Sequence, residues 1–230
     1  MTKRLLAFHN DPKIKEKYFK RVKAHQKADE IVQGIYWENG KGCAVGCTME
    51  LSSNVHESME KELGIPRELA YLEDAMFKEL SNEEAKKFPL NFLEAIPVGS
   101  DLTKIVGKYV IWQFQDKELG MSQIAEIKED KELMKICQDV VSLYKRKIKG
   151  DNPTKKEWLA VANKADEIYR GLTWTWDGTW TWAGACARAW AGAGACAGAG
   201  AWAGARAGAT YKEELLIDEE KLLELLREAK

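Results

Sequence analysis

Apolar positions recur at helical spacing along most of this chain, and proline and glycine mark the breaks. Asp11 precedes Pro12, an N-cap directly before a proline at the first helical position, where the missing N–H costs nothing. Ile14, Tyr18, Val22, Ala28 and Val32 follow near 3.6-residue spacing, and Gly34 sits where a C-terminal cap belongs. The same logic predicts a helix from Val55 to Leu63 ending at Gly64, and a second opened by Pro66 over PRELAYLEDAMFKEL. Ser81 and Glu84 form a capping box for a short helix that should stop before Pro89. A short segment, LNFLEAI, then closes at Pro97-Val98-Gly99. KYVIWQF is rich in strand formers, yet Ile105, Tyr109 and Trp112 fit a helical face, so helix is expected. Glu132 to Lys149 is amphipathic and ends at Gly150. Asp151-Asn152-Pro153 repeats the cap-plus-proline signal for a helix reaching about Arg170. LLIDEEKLLELLREAK reads as an amphipathic C-terminal helix.

One internal echo stands out. KADEIVQGIYW (27–37) and KADEIYRGLTW (164–174) agree at seven of eleven positions. A shared way of ending a helix explains it; a duplicated helix–turn unit is the alternative.

Residues 173–210 break the pattern. A hexad appears as TWTWDG and then TWTWAG, followed by Ala at every odd position from Ala183 to Ala209. Strict alternation is formally a strand pattern, and Asp177-Gly178 between TWTW segments is a hairpin signal. Folding that hairpin sends Trp174 and Trp176 to one face and Trp180 and Trp182 to the other, so no clean apolar face results. As a helix, the fourteen Ala of 183–209 are ideal and the seven Gly cost about 1 kcal/mol each relative to Ala. The tract is therefore expected to be a buried helix with Trp190 and Trp202 packed at its edges; the alternatives are disorder and β structure.

The segments WENGKGCAVGCT (37–48), ELGIPRELAYLED (62–74), FLEAIPVGSDL (92–102) and KLLELLREAK (221–230), the last following an Ala-rich tract, resemble a family of bacterial and phage proteins with no established activity. The resemblance runs from AFHNDP (7–12) to the C-terminus. Tracts in that family are Ala with Tyr or other interruptions and read as helix, which favours helix here. The Gly-for-Ala alternation is a departure from it.

The expected fold class is mostly α: a compact orthogonal helical array over 1–172, with the 173–210 tract as a long Ala/Gly-rich helix packed on it and an amphipathic helix over 211–230. The alternative is an α protein with a disordered or β-forming tract.

Composition narrows the function classes. The chain has 230 residues, 31% of them charged, and a net charge of −1, which gives no global case for nucleic acid as a partner. Charge is uneven: residues 1–41 hold ten Lys/Arg against five Asp/Glu, and residues 51–101 hold five against eleven. Neutralisation across a packed interface accounts for this. No run of about 18 strongly apolar residues occurs, so no membrane span is expected. Five cysteines, an odd number, do not make a disulfide framework and point to the cytoplasm.

The densest candidate for chemistry is Gly40-Lys41-Gly42-Cys43-Ala44-Val45-Gly46-Cys47-Thr48. Its three glycines imply a sharp turn or a close backbone approach, and the order is not that of a P-loop. Four-residue spacing would put Cys43 and Cys47 on one face of a helix. With His25 and His56 they could be drawn as a zinc site, but small buried cysteines at a helix start are commonplace, so neither metal nor cofactor is expected. A helix starting near Gly42, with Lys41 beside it, would lower the Cys43 thiol pKa. His9, His25 or His56 would then serve as base, oriented by Asp11, Asp29 or Glu94. The candidate catalytic residues are Cys43, Cys47, His25 and His9; the candidate binding residues are Lys41, Gly42, Trp37, Trp190 and Trp202. With no recognisable catalytic constellation, the leading expectation is a non-enzymatic protein-interaction or structural protein. The alternative is a small cysteine/histidine-dependent enzyme centred on Cys43 and Cys47.

Overall fold

A computed structural model describes residues 5–117, 120, 122–123, 126, 129, 131–171 and 211–230. The expectations for 173–210, including the placement of Trp190 and Trp202, lie outside the described residues. Among those residues the protein is mostly α, with nine α-helices and one two-stranded hairpin. The elements are α1 (Pro12–Lys27), β1 (Trp37–Glu38), β2 (Lys41–Gly42), α2 (Ala44–Met49), α3 (Val55–Leu63), α4 (Arg67–Glu79), α5 (Asn82–Ala95), α6 (Ile105–Gln115), α7 (Lys131–Ile148), α8 (Lys155–Gly171) and α9 (Tyr211–Arg227). They fall into two compact units, Met1–Val106 with Lys212–Lys230, and Gly107–Tyr211.

In the first unit, Asp11 caps α1 as its sequence implies, accepting from the Lys13 N–H at 2.8 Å. The helix stops at Lys27, seven residues short of Gly34. Asp29 turns left-handed at φ 56°, and the chain then pairs with the hairpin: Val32 N–H donates to the Gly42 carbonyl at 2.8 Å and Gly42 N–H to the Glu30 carbonyl at 3.0 Å. Ile31 and Val32 are β-branched, and this pairing suits them better than another helical turn. The KADEI echo therefore has two structures. Its first copy leaves the helix at Lys27, while its second stays helical within α8, so it marks no repeated unit.

The hairpin itself turns on Asn39 and Gly40, with φ of 51° and 81°. Positive φ at both central residues is what a two-residue type I′ loop demands, and Asn-Gly is its commonest pair. Immediately after it comes α2, six residues long and buried throughout. It packs against α1, α3, α4 and α5. Its small side chains let those helices close around it.

Helices α3 and α4 follow their sequence signals. Helix α5 does not stop before Pro89 but runs through it to Ala95. Pro89 removes one helical hydrogen bond; Phe88, Phe92 and Leu93, all fully buried, hold the helix together on either side. Helix α9 belongs to this unit, burying Leu222 and Leu226 completely, and the Asp101 N–H donates to the Lys230 carbonyl at 3.0 Å. Ahead of α1, Phe8, His9 and Asn10 form one left-handed turn (φ 52°, 51° and 61°). Each such residue is disfavoured by about 1–2 kcal/mol. Complete burial of Phe8 and a backbone bond from Ala7 N–H to the Ser100 carbonyl at 2.9 Å oppose that cost.

In the second unit α7 and α8 pack together, with the Tyr144 and Trp158 rings edge-on at 5.0 Å. The cap of α8 is Thr154, not Asp151. Thr154 N–H donates to Glu157 Oε2 at 2.7 Å and Glu157 N–H to Thr154 Oγ1 at 3.3 Å, a reciprocal capping box. Asp151 instead accepts from Arg146 at 2.6 Å.

A Cβ placed on Gly46 would lie 1.5 Å from the Tyr36 carbonyl oxygen, a backbone atom that cannot step aside. Gly46→Ala is therefore expected to lower unfolding stability by at least about 1–3 kcal/mol, read from urea denaturation. An unchanged midpoint would mean that Tyr36 does not run across α2.

Candidate functional site

The helix that matters most is α4. Its apolar stripe runs Leu69, Leu72, Glu73, Met76, Phe77, the i, i+3, i+4, i+7, i+8 spacing of a buried face with a glutamate in the middle. Ala70 and Ala75 are buried too, so the helix has almost no wet side where Glu73 and Asp74 could point. Both are enclosed, Glu73 at 0% exposure.

Asp74 shares a face with Tyr71 and Lys78, three residues before it and four after. Its Oδ2 accepts from Lys78 Nζ at 2.8 Å and from the Tyr36 hydroxyl at 3.3 Å, and lies 3.4 Å from His56 Nε2. His56, in the first turn of α3, stacks on the Tyr71 ring at 3.8 Å and meets the Tyr36 ring edge-on at 5.9 Å. Cys43 is close enough to Asp74 for its charge to act on the thiol. Three buried carboxyl oxygens of this centre have no hydrogen-bond partner: both of Glu73, and Asp74 Oδ1. Leaving such a group unmet costs about 1–3 kcal/mol.

The two carboxyls are driven apart. Burial, and then the charge of Asp74, push Glu73 well above the usual glutamate value of 4.5. Burial also pushes Asp74 up, but hydrogen bonds from His56 and Lys78 and their charges outweigh it, leaving its carboxyl lowered. The centre thus holds one carboxyl pushed toward its acid form beside one held toward its carboxylate, a pairing found where protons or polar ligands are handled.

The structure takes the candidate residues elsewhere. His9 Nε2–H donates to the Lys61 carbonyl at 2.9 Å. His25 has Nδ1 2.6 Å from Glu30 and Nε2 3.3 Å from Glu50, with Trp37 edge-on at 5.0 Å. Cys43 instead lies near Asp74, whose charge acts on its thiol. The proposed orienting groups are engaged elsewhere: Asp11 caps α1, Asp29 pairs with Lys86 at 2.5 Å, and Glu94 faces Lys15, which donates to its backbone carbonyl at 2.9 Å and feels its charge. The Cys47 thiol donates to the Gly42 carbonyl at 3.2 Å, and the charges acting on it are those of Glu30 and Glu50.

Both thiols are pushed up to about 12, chiefly by burial. The expected lowering of Cys43 by a helix start and Lys41 is therefore reversed. The helix is only six residues long and enclosed, and the exposed Lys41 acts on Asp29, not on the thiol. Gly42 does have a role, through its backbone: a Cβ there would come within 2.1 Å of the Tyr36 carbonyl oxygen.

Glu73, Asp74, Tyr36, Tyr71 and Lys78 are absent from the candidate set read off the sequence. A glutamate within an otherwise apolar stripe was the available signal. Among the described residues, no group of three or more His, Cys, Asp or Glu side chains is arranged to hold a metal ion, and no helix is long and apolar enough to cross a membrane. No protein-family description, curated protein or solved structure matches the chain.

The pKa directions set a pH profile. Glu73 is raised on folding, so its contribution is whole below 4.5 and declines as pH climbs toward the folded value, by about 1.4 kcal/mol per pH unit. Asp74 is lowered, so its contribution is whole above 3.8 and is lost as pH falls through the folded value. Glu73→Gln keeps the shape and removes the titration. It should flatten the loss of stability between mildly acidic and neutral pH and be the more stable protein at neutral pH. Equal slopes for wild type and variant in chemical denaturation would show that Glu73 is ionised when folded.

Proposed function

We propose that this chain is a non-enzymatic, protein-binding component of a bacterium or phage, and that it binds through the surface around Tyr36. The state of the cysteines carries this reading. A thiol enclosed in the fold and pushed up to about 12 offers almost no thiolate at neutral pH, and the thiolate is the nucleophile. Each histidine is committed to a carbonyl, a carboxylate or an aromatic stack. By contrast Ile35 (38% exposed), Tyr36 (37%) and Leu51 (37%) leave large apolar side chains in water, beside the β1–β2 hairpin and just beyond α2. Apolar groups on segments flanking a polar centre suit a surface that another protein covers.

One observation favours the enzyme alternative: Cys43 lies beside Asp74 and Glu73, at the start of a helix. Two measurements separate the readings. A photo-crosslinking residue at Leu51, used in cells of the native host, is expected to give one discrete protein adduct that Ile35→Asp abolishes. Iodoacetamide is expected to label Cys43 and Cys47 no faster than the buried Cys137. Rapid, selective labelling of Cys43 without any adduct would overturn the binding reading in favour of the enzyme.

A further inference from the structure

The tip of the β1–β2 hairpin carries a reactive pair. We propose that Asn39 is a site of self-modification: its side chain closes on the Gly40 backbone nitrogen, expels ammonia and is opened by water to aspartate and isoaspartate, and the isoaspartyl form loosens the hairpin behind Tyr36. The inference is independent of the binding reading.

Sequence supplies the first support. The chain has seven asparagines, and only Asn39 is followed by glycine. A glycine nitrogen is the least crowded nucleophile that a peptide offers, because no Cβ stands beside it. Asn54 is followed by β-branched Val55, and Asn152 by Pro153, which has no N–H to lose. Asn82, Asn91 and Asn163 lie within α5 and α8, and Asn10 has its side-chain oxygen against Gly99.

Geometry supplies the second. Asn39 and Gly40 are both exposed, at φ of 51° and 81°. A Cβ built on Gly40 would meet nothing within 4 Å, so no other part of the described chain covers the turn, and water reaches it. Neither the Asn39 carboxamide nor the Gly40 N–H has a hydrogen-bond partner among the described residues, so none need be broken before the two meet. The ladder that holds the tip is only two residue pairs long, Trp37 with Gly42 and Glu38 with Lys41. A hairpin this short opens readily, which lets the carboxamide turn onto the adjacent nitrogen. Ring closure is then an intramolecular step, favoured because both reactants sit in neighbouring residues.

The bonds balance. The bond from Gly40 N to Asn39 Cγ forms as the Cγ–Nδ2 bond breaks, and the Gly40 amide proton leaves with Nδ2 as ammonia. Water then opens the succinimide at either carbonyl. Opening at Cγ gives aspartate in an unchanged main chain. Opening at the backbone carbonyl sends the main chain through Cβ and Cγ and leaves the α-carboxylate as the side group. The isoaspartyl loop is longer by one methylene, in a turn whose type I′ geometry fixes its length. The misfit falls on the pairing of Gly42, and through it on the Tyr36 crossing.

The test is to let the purified chain age at mildly alkaline pH and follow its tryptic peptide 28–41 by mass spectrometry. The mass gain of an amide-to-acid exchange should appear there before it appears at any other asparagine. The converted peptide should resolve into a pair of isomers, one of them a substrate for an isoaspartyl methyltransferase. Asn39→Gly keeps a pair suited to the turn and should show no such gain. Amide hydrogen exchange at Val32, Gly42 and Cys43, whose bonds depend on the hairpin, should quicken in the isoaspartyl fraction and keep its wild-type rate in Asn39→Gly. A folded chain that stays unconverted while the synthetic 28–41 peptide converts would overturn the inference, because the fold would then protect the pair. So would a mass gain that appears first at another asparagine. Isoaspartyl protein with unchanged exchange at these three amides would overturn the loosening of the hairpin.

Discussion

The carbonyl of Tyr36 lying against Gly42 and Gly46 is the contact on which the first unit depends. The Cys43 N–H, between those glycines, faces the Ile35 and Tyr36 carbonyls at 2.9 and 3.1 Å. A side chain at either glycine would push the strand away from α2. That crossing fixes the hairpin, seats the small helix at the middle of the helical array, and leaves the Tyr36 side chain reaching over Asp74. One backbone approach thus links the packing of the core to the geometry of the site.

Around that crossing the protein does something costly. It encloses two consecutive carboxyls, a histidine and a thiol among apolar helices, and leaves three carboxyl oxygens unmatched. The same apolar walls push Glu73 and both thiols toward their protonated forms, since burial is the leading cause in each case. Asp74 is held the other way, toward its carboxylate, because His56 and Lys78 reach it. Burial alone would have neutralised the whole centre; the one cation arriving from the surface divides it into an acid and a base.

The neighbouring His25 arrangement differs in kind. There the carboxylates of Glu30 and Glu50 flank the ring at a partly open surface, and Arg21 ties Glu50 to α2 through the Thr48 carbonyl at 3.0 Å. It has the partners that the Glu73 centre lacks. This makes it a brace joining the end of α1 to α2.

Local signals sufficed where neighbouring residues along the chain settle the structure. The Asp11-Pro12 start, the Ser81–Glu84 cap, the glycine end of α3 and the amphipathic stripes of α7 and α9 were all legible, because capping and helical periodicity are short-range. So was the meaning of the glycines in 40–46, as turn and close approach. Elsewhere distant residues decided. Ile31 and Val32 left α1 to pair with Gly42, so identical KADEI segments became coil in one place and helix in the other. Phe88 and Phe92 carried α5 through Pro89. Cys43 was expected to be activated by what stands next to it in sequence, but it is governed by Asp74, thirty-one positions away, and by burial that no local pattern reveals. The sequence by itself determined where most helices lie, several of their caps and the class of fold, since these follow from backbone hydrogen bonding within a few residues. The tertiary structure decided which charges lie in water and which in the core, because solvation and pairing depend on neighbours that only folding brings together.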